Sequence, residues 1–290
     1  MGYFIKEIKE TITLQQYLKK MHLASSKINY LIDNKFCFVN ENILKRDSIL
    51  NNGDYLMIDL SNYQIEQKAY DFPISVLYED DYIIVVNKPA GFIVHSDGEK
   101  NIDNTVTNMV VNYLRKKNDE HNVYPVHRLD QETTGCLMFT KDIISLGYYS
   151  YQFENKQVEK IYECLVEGKT NLSGYITSNI GSDRHQNNKM VVTKNGLPAK
   201  TYYEVVSYLK NYSLLKVKLF TGRTHQIRVH LSSIDHPIVG DTKYGSKTKC
   251  KFLLLHSLSL TFYNFLIESK QTIKAKLPDT MTKFVYLLQK

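Results

Sequence analysis

Apolar positions along this chain follow two periods, helical near the N-terminus and alternating over much of the rest. Leu14, Tyr17, Leu18 and Met21 recur at helical intervals behind Thr13, which stands three residues before Gln16 in capping-box spacing. A second helical stretch puts Ile28, Leu31 and Ile32 on one face, with Ser25 and Ser26 available as its cap. Residues 36–40 and 55–60 read as strands, the second entered through the turn Asn51-Asn52-Gly53-Asp54. Beyond Pro73, strands are predicted at 82–86, 137–140, 161–166, 201–206 and 213–220. One clear helix lies among them, capped by Asn104, with Val106, Met109, Val110, Tyr113 and Leu114 on one face. Strands follow one another in hairpin fashion after residue 158, without regular strand-helix alternation. That predicts an α+β fold with a mixed, largely antiparallel sheet. Residues 63–72 are polar and aperiodic and predict a linker, between a small α+β domain at 1–62 and a larger one at 73–290.

Composition narrows the partner. The 290 residues carry a net charge of +7, which favours a polyanion. Lysine supplies most of that charge. Arginine occurs only at 46, 115, 128, 184, 223 and 228, so in a lysine-using chain each arginine points to planar, bidentate contact with a carboxylate or phosphate. The four cysteines, Cys37, Cys136, Cys164 and Cys250, are widely spaced in apolar surroundings and form no C-x-x-C pair. Reduced thiols in a cytoplasmic protein are therefore expected, with no metal site. Residues 1–7 carry acid early and lead into no long apolar run, so no signal peptide is expected. The apolar run 252–260 is too short to span a bilayer.

The candidate chemistry centres on His127-Arg128-Leu129-Asp130-Gln131-Glu132-Thr133-Thr134-Gly135. A carboxylate there precedes the apolar run 136–139, and a charge at the mouth of a buried strand must be paired or working. The run resembles the H-R-L-D-x-x-T-S-G signature of the RluA family of RNA pseudouridine synthases (RluC/RluD-like), with Thr134 in place of the usual serine. Two further segments arrive in that family's order. Val158-Glu159-Lys160-Ile161-Tyr162 resembles V-E-K-x-Y, and residues 221–230 resemble T-G-R-T-H-Q-I-R-V-H. The resemblance implies an enzyme that isomerises uridine to pseudouridine without a cofactor. It implies Asp130 as nucleophile, Arg228 as the arginine paired with it, and Tyr162 as the ring packed against the target base. Arg128 is expected on a phosphate or in the space left by an extruded nucleotide. Arg223, His225 and Gln226 are expected either to touch substrate or to hold the loop around Arg228, both readings standing open. Residues 180–190 resemble a family loop whose first arginine is here Ser182, so a phosphate contact there passes to Arg184 or Lys189.

The N-terminal pattern resembles an S4 RNA-binding domain, although Glu41 and Asn42 replace its turn glycine. The implied partner is structured RNA, large-subunit ribosomal RNA ahead of transfer RNA, with the protein acting as a monomer away from membranes. The competing readings are weaker. A methyltransferase would need a glycine-rich cofactor turn, a kinase its D-F-G segment, and a zinc deaminase its ligands. A non-catalytic RNA binder would not require Asp130, Tyr162 and Arg228 together.

Overall fold

The computed structural model describes residues 2–63, 65–96 and 103–290. Met1 of the N-terminal reading and Gln64 of the linker reading lie outside those residues.

The N-terminal unit sets two helices against a small sheet. Its elements are β1 (Tyr3–Glu7), β2 (Ile12–Thr13), α1 (Leu14–Lys20), α2 (Ser25–Asp33), β3 (Cys37–Val39), β4 (Asn42–Ile43), β5 (Ile49–Leu50) and β6 (Tyr55–Asp59). The strands β1, β6, β3 and β4 run in that order across the sheet. Thr13 forms the expected capping box with Gln16 at the start of α1. The cap of α2 is instead Ala24, which offers no side-chain acceptor, so neither serine satisfies the helix start.

The remainder builds one large sheet and a separate two-stranded one. Its elements follow in the order β7 (Ser75–Glu79), β8 (Ile83–Lys88), α3 (Val106–Lys116), β9 (Tyr124–Pro125), β10 (Thr134–Thr140), α4 (Ile143–Glu154), β11 (Glu159–Glu167), β12 (Ser173–Thr177), β13 (Ile180–Ser182), β14 (Met190–Val192), β15 (Lys200–Leu209), β16 (Tyr212–Leu219), α5 (Gln226–Ser232), β17 (Leu255–Asn264), β18 (Ser269–Lys274) and α6 (Asp279–Gln289). Across the large sheet the order is β12, β15, β16, β11, β17, β10, β8, β7, with β18 beside β17 and β9 beside β10; β13 and β14 form the small one. Every pairing is antiparallel except β10 with β17, which is parallel over two residue pairs. The mixed, largely antiparallel α+β sheet is therefore as expected. Thr105, one residue later than expected, caps α3 by accepting the amide of Asn108.

Alternation along β10 distributes its side chains between two cores. Leu137 and Phe139 join Ile84, Val86, Val110, Val217 and Ile227 on the face covered by α3 and α5. Cys136 and Met138 face the other way, into a cluster shared by α4, Leu260, Phe262 and the N-terminal unit's Phe4, Leu18 and Ile58. On that same outer face, α6 covers Leu165, Leu209 and Leu214 through Met281. The N-terminal unit is held by more than apolar contact. Tyr82 donates to the carbonyl of Ile5, Lys6 donates to that of Phe265 at 3.2 Å, and the His22 ring stacks on Tyr151 at 3.4 Å. The stretch 65–72 is also tied down. Asn122 exchanges two hydrogen bonds with the backbone of Ile65, and Asn108 bonds the backbone of Lys68 and Tyr70.

Candidate active site

The loop carrying Asp130 is anchored from three directions before β10 begins. Leu129 is buried in the α3/α5 core. The Gly91 amide donates to the Gln131 carbonyl, and the Gln131 side-chain amide donates back to the Gly91 carbonyl, at 3.0 Å each. Beneath them the fully buried Lys88 ammonium donates to three carbonyls, those of Pro89 (2.9 Å), Gln131 (2.7 Å) and Thr133 (3.0 Å). An ammonium has three donors, and all are matched here. Burial pulls the Lys88 pKa down to about 8, a value at which the cation still prevails at neutral pH. Next, Gly135 sits at φ +108° between Lys88 of β8 and Ser257 of β17. A Cβ at this position would lie 2.2 Å from the Ser257 carbonyl oxygen, so only glycine lets the parallel pair close.

We expect Lys88→Met to leave these carbonyls without a buried donor and to lower stability by about 3 kcal/mol. The loop should loosen at the same time. A chemical-denaturation midpoint and a single-turnover rate that both match the parent would refute this role for Lys88.

Around Asp130 lies a cavity of about 540 Å³, a size suited to a nucleotide. Its wall includes Asp130, Tyr162 and Arg228, the three side chains singled out as catalytic, together with Arg128, Arg223, His225 and Gln226. Tyr162 reaches it because the register between β11 and β17 shifts between Ile161 and Tyr162, a bulge that re-aims the ring. The ring is buried, and burial together with the Asp130 charge pushes its hydroxyl pKa above the usual tyrosine range. The phenol is therefore neutral.

Arg228 lies in α5 and is shared between two carboxylates. Its Nη1 donates to Asp130 Oδ2 at 3.2 Å, while Nε and Nη2 form a fork onto Asp241, at 2.7 and 2.9 Å. Asp241 is almost wholly buried, and Arg228 lies over the Tyr244 ring, 4.9 Å from its centroid. Burial opposes the charge on Arg228, but the hydrogen bonds and charge of Asp241 outweigh it and hold the pKa above the usual arginine value. The expected Asp130–Arg228 pair is present, but through a single bond: the two-pronged contact belongs to Asp241. The physical result is a triplet with net charge −1, in which Asp130 is positioned without being neutralised.

His225 caps α5 in the left-handed region at φ 56°, a strained backbone for a non-glycine residue. Its Nδ1 lies 2.7 Å from the Tyr244 hydroxyl, and its Nε2 lies 3.8 Å from Asp130 Oδ2. Burial lowers its pKa despite the neighbouring carboxylate, so the ring is neutral at physiological pH. Gln226 resolves towards scaffolding. Its carbonyl oxygen accepts from the Thr221 hydroxyl and the Arg223 amide, and its amide donates to the Lys200 carbonyl and Thr201 hydroxyl. All four capacities are spent inside the protein. Arg223 lines the cavity but spends Nε on the Pro198 carbonyl. Arg128 is exposed at the rim.

Two expected phosphate contacts stand elsewhere. Arg184 and Lys189 lie on the loop joining β13 and β14 and do not line the cavity. His127 is a packing residue: it accepts the Met138 amide at 3.1 Å and stacks on Phe153. Burial brings its pKa down to about 3. The sequence reading missed Asp241 and Tyr244, and also Lys156 and Lys160, which add positive charge to the cavity wall. Among the described residues, no cluster of three or more histidine, cysteine or carboxylate groups is placed to hold a metal ion. No described helix is long and apolar enough to cross a membrane.

Comparison with known proteins agrees with this geometry. The RNA pseudouridylate synthase family profile matches residues 82–233, which hold Asp130, Tyr162 and Arg228. The chain belongs to that family and is an RNA pseudouridine synthase, an isomerase. Among individual relatives, ribosomal large subunit pseudouridine synthase D of Vibrio parahaemolyticus is 29% identical over 277 residues, 90% of this chain and 85% of its own. The synthase D of Borreliella burgdorferi is 35% identical over 257 residues, covering 85% of this chain and 76% of the relative. An uncharacterised RNA pseudouridine synthase of Bacillus subtilis is 34% identical over 215 residues, 73% of this chain and 71% of the relative. Of solved structures, human RNA pseudouridylate synthase domain containing 4 superposes with a TM-score of 0.64 at 25% identity, over 74% of this chain and 93% of that one.

Proposed function

We propose that the chain converts specific uridines of large-subunit ribosomal RNA to pseudouridine, with the Asp130 carboxylate as nucleophile. The observation that carries this reading is that Asp130, Tyr162 and Arg228, drawn from three distant segments, meet on one cavity wall with Asp130 only singly bonded. The chemistry breaks the C1′–N1 bond and forms C1′–C5. C5 gives up its proton and N1 gains one, so atoms and electrons balance. Asp130 supplies the anion that opens the reaction, and the Arg228–Asp241 fork fixes the angle of the guanidinium that holds it. The cavity retains the detached base while it turns. Tyr162 offers the base a flat partner and brings a neutral hydroxyl close to the migrating proton. Arg128, Lys156 and Lys160 supply cations for phosphates beside the extruded nucleotide. The names of the relatives from Vibrio and Borreliella favour ribosomal over transfer RNA as substrate.

We further propose that residues 1–62 act as an S4-like RNA-binding domain joined through 63–72 to a catalytic domain at 73–290. The two helices packed on a small sheet support this assignment. The direct test is to incubate the protein with unmodified total RNA and map new pseudouridines. Conversion in transfer RNA alone would overturn the ribosomal assignment, and binding without conversion would overturn the catalytic one.

The two roles of Tyr162 separate by substitution. We expect Tyr162→Phe to bind RNA normally and Tyr162→Leu to bind poorly if the ring stacks on the base. If the hydroxyl moves the proton, Tyr162→Phe already loses turnover. Parent-like rates in both variants would remove Tyr162 from the site.

A further inference from the structure

On the outer face of the sheet, next to the cavity rim, lies an aromatic group that the reaction does not use. Tyr175 of β12 pairs with Tyr202 of β15, which pairs with Lys218 of β16. The Tyr175 and Tyr202 rings are 5.0 Å apart, and Phe220 lies 6.1 Å from Tyr175. The Lys200 ammonium sits between two of these rings, 4.6 Å from Tyr175 and 5.0 Å from Phe220. Tyr175 stays 61% exposed, so the rings are not there to fill a core. The α6 helix covers the other end of this face and leaves this end open.

We propose that Tyr175, Tyr202 and Phe220, with Lys200, form a stacking platform for the unpaired nucleotides that flank the target uridine. The inference rests on the pseudouridine synthase reading and extends it to a second contact surface. Continuity carries the argument first. Phe220 faces the platform while the next residue, Thr221, lines the cavity. The two Cα atoms are about 3.8 Å apart, so a strand leaving the cavity over the Thr221–Gly222 lip lands on the rings. The Thr221 hydroxyl also accepts the Lys200 amide, which ties lip and platform together. Charge is the second support. Lys218 is ion-paired with Glu159, whereas Lys200 makes no ion pair among the described residues and is held by π faces alone. Flat π surfaces with an uncompensated cation match bases joined by phosphates, and this is the arrangement that sequence-tolerant single-strand binders use.

The chain contains no tryptophan, which supplies a clean test. Tyr175→Trp in the full-length protein places one fluorophore on the platform, and Tyr286→Trp on α6 serves as a control at another exposed tyrosine. Octauridylate should quench the first saturably and leave the second unchanged. A base-free ribose-phosphate oligomer of the same length should quench neither. In parallel, Tyr175→Leu should raise the RNA concentration needed for half-maximal isomerisation by roughly 5- to 100-fold at unchanged kcat. Absent quenching, equal quenching by the base-free oligomer, or an unchanged half-saturation point would each overturn the platform while leaving the enzymatic reading intact. A protein whose Tyr175→Trp signal is quenched but which forms no pseudouridine on any RNA would retain the platform and lose the enzymatic reading.

Discussion

Asp130→Asn is expected to reduce isomerisation by about 10⁴-fold or more, the scale seen when a nucleophile is removed from an intact site. RNA affinity should change little. The amide keeps the size of the carboxylate, and its oxygen can still accept the Nη1 proton of Arg228, so the loop pinned by Lys88 and Gly91 has no cause to move. Only the negative charge is lost. Because Arg228 remains forked onto Asp241, the guanidinium is not left unpaired, and the melting temperature should stay close to the parent's. Pseudouridine formation, RNA retention and thermal melting measured on one preparation decide the matter. Activity within tenfold of the parent would end the assignment of Asp130 as nucleophile.

Arg228→Lys should be severe for two reasons that can be measured separately. A lysine ammonium cannot reach both carboxylates with the geometry of a planar fork. Asp241, which is almost wholly buried, would lose both of its Arg228 bonds, a situation that costs about 3–5 kcal/mol. Asp130 would lose its tether as well, and catalysis should fall by about 10²-fold from misplacement alone. Asp241→Asn separates the two effects, since it keeps the arginine but weakens its seat. It should destabilise less than Arg228→Lys and still slow turnover. A lysine variant with parent stability and rate would mean that neither carboxylate depends on Arg228.

Asp130, Tyr162 and Arg228, the proposed catalytic trio, were legible because each sits in a contiguous string that resembles one of the family's motifs. Asp130 is followed by the glycine that lets β10 meet β17, and Arg228 by the apolar positions that bury α5. Asp241 was hidden for the opposite reason. It lies thirteen residues beyond Arg228 in a loop, and no local residue marks it as the partner of the guanidinium. Only closure of the chain brings it under the guanidinium. Lys88 was equally silent, since a lysine at a strand end normally faces water, and its three carbonyl partners belong to turns whose path the sequence does not specify. The antiparallel sheet could be read from hairpin succession, but the β10–β17 parallel contact joins segments some 120 residues apart over two residue pairs. Arg184 and Lys189 were placed near substrate by motif order alone, and they do not line the cavity.

The join between the N-terminal unit and the main sheet has a consequence for how RNA is measured. With Phe4 inside the common core, Lys6 and Tyr82 bonded across the boundary, and residues 65–72 fastened to Asn108 and Asn122, the two parts are set at a fixed span when the chain folds. If residues 1–62 grip RNA as proposed, the protein works as a caliper rather than a hand. For an RNA gripped by both parts, the distance from the gripped helix to the offered uridine becomes a selection rule. Adding or removing one base pair between them would carry the uridine past the cavity however well its neighbours matched.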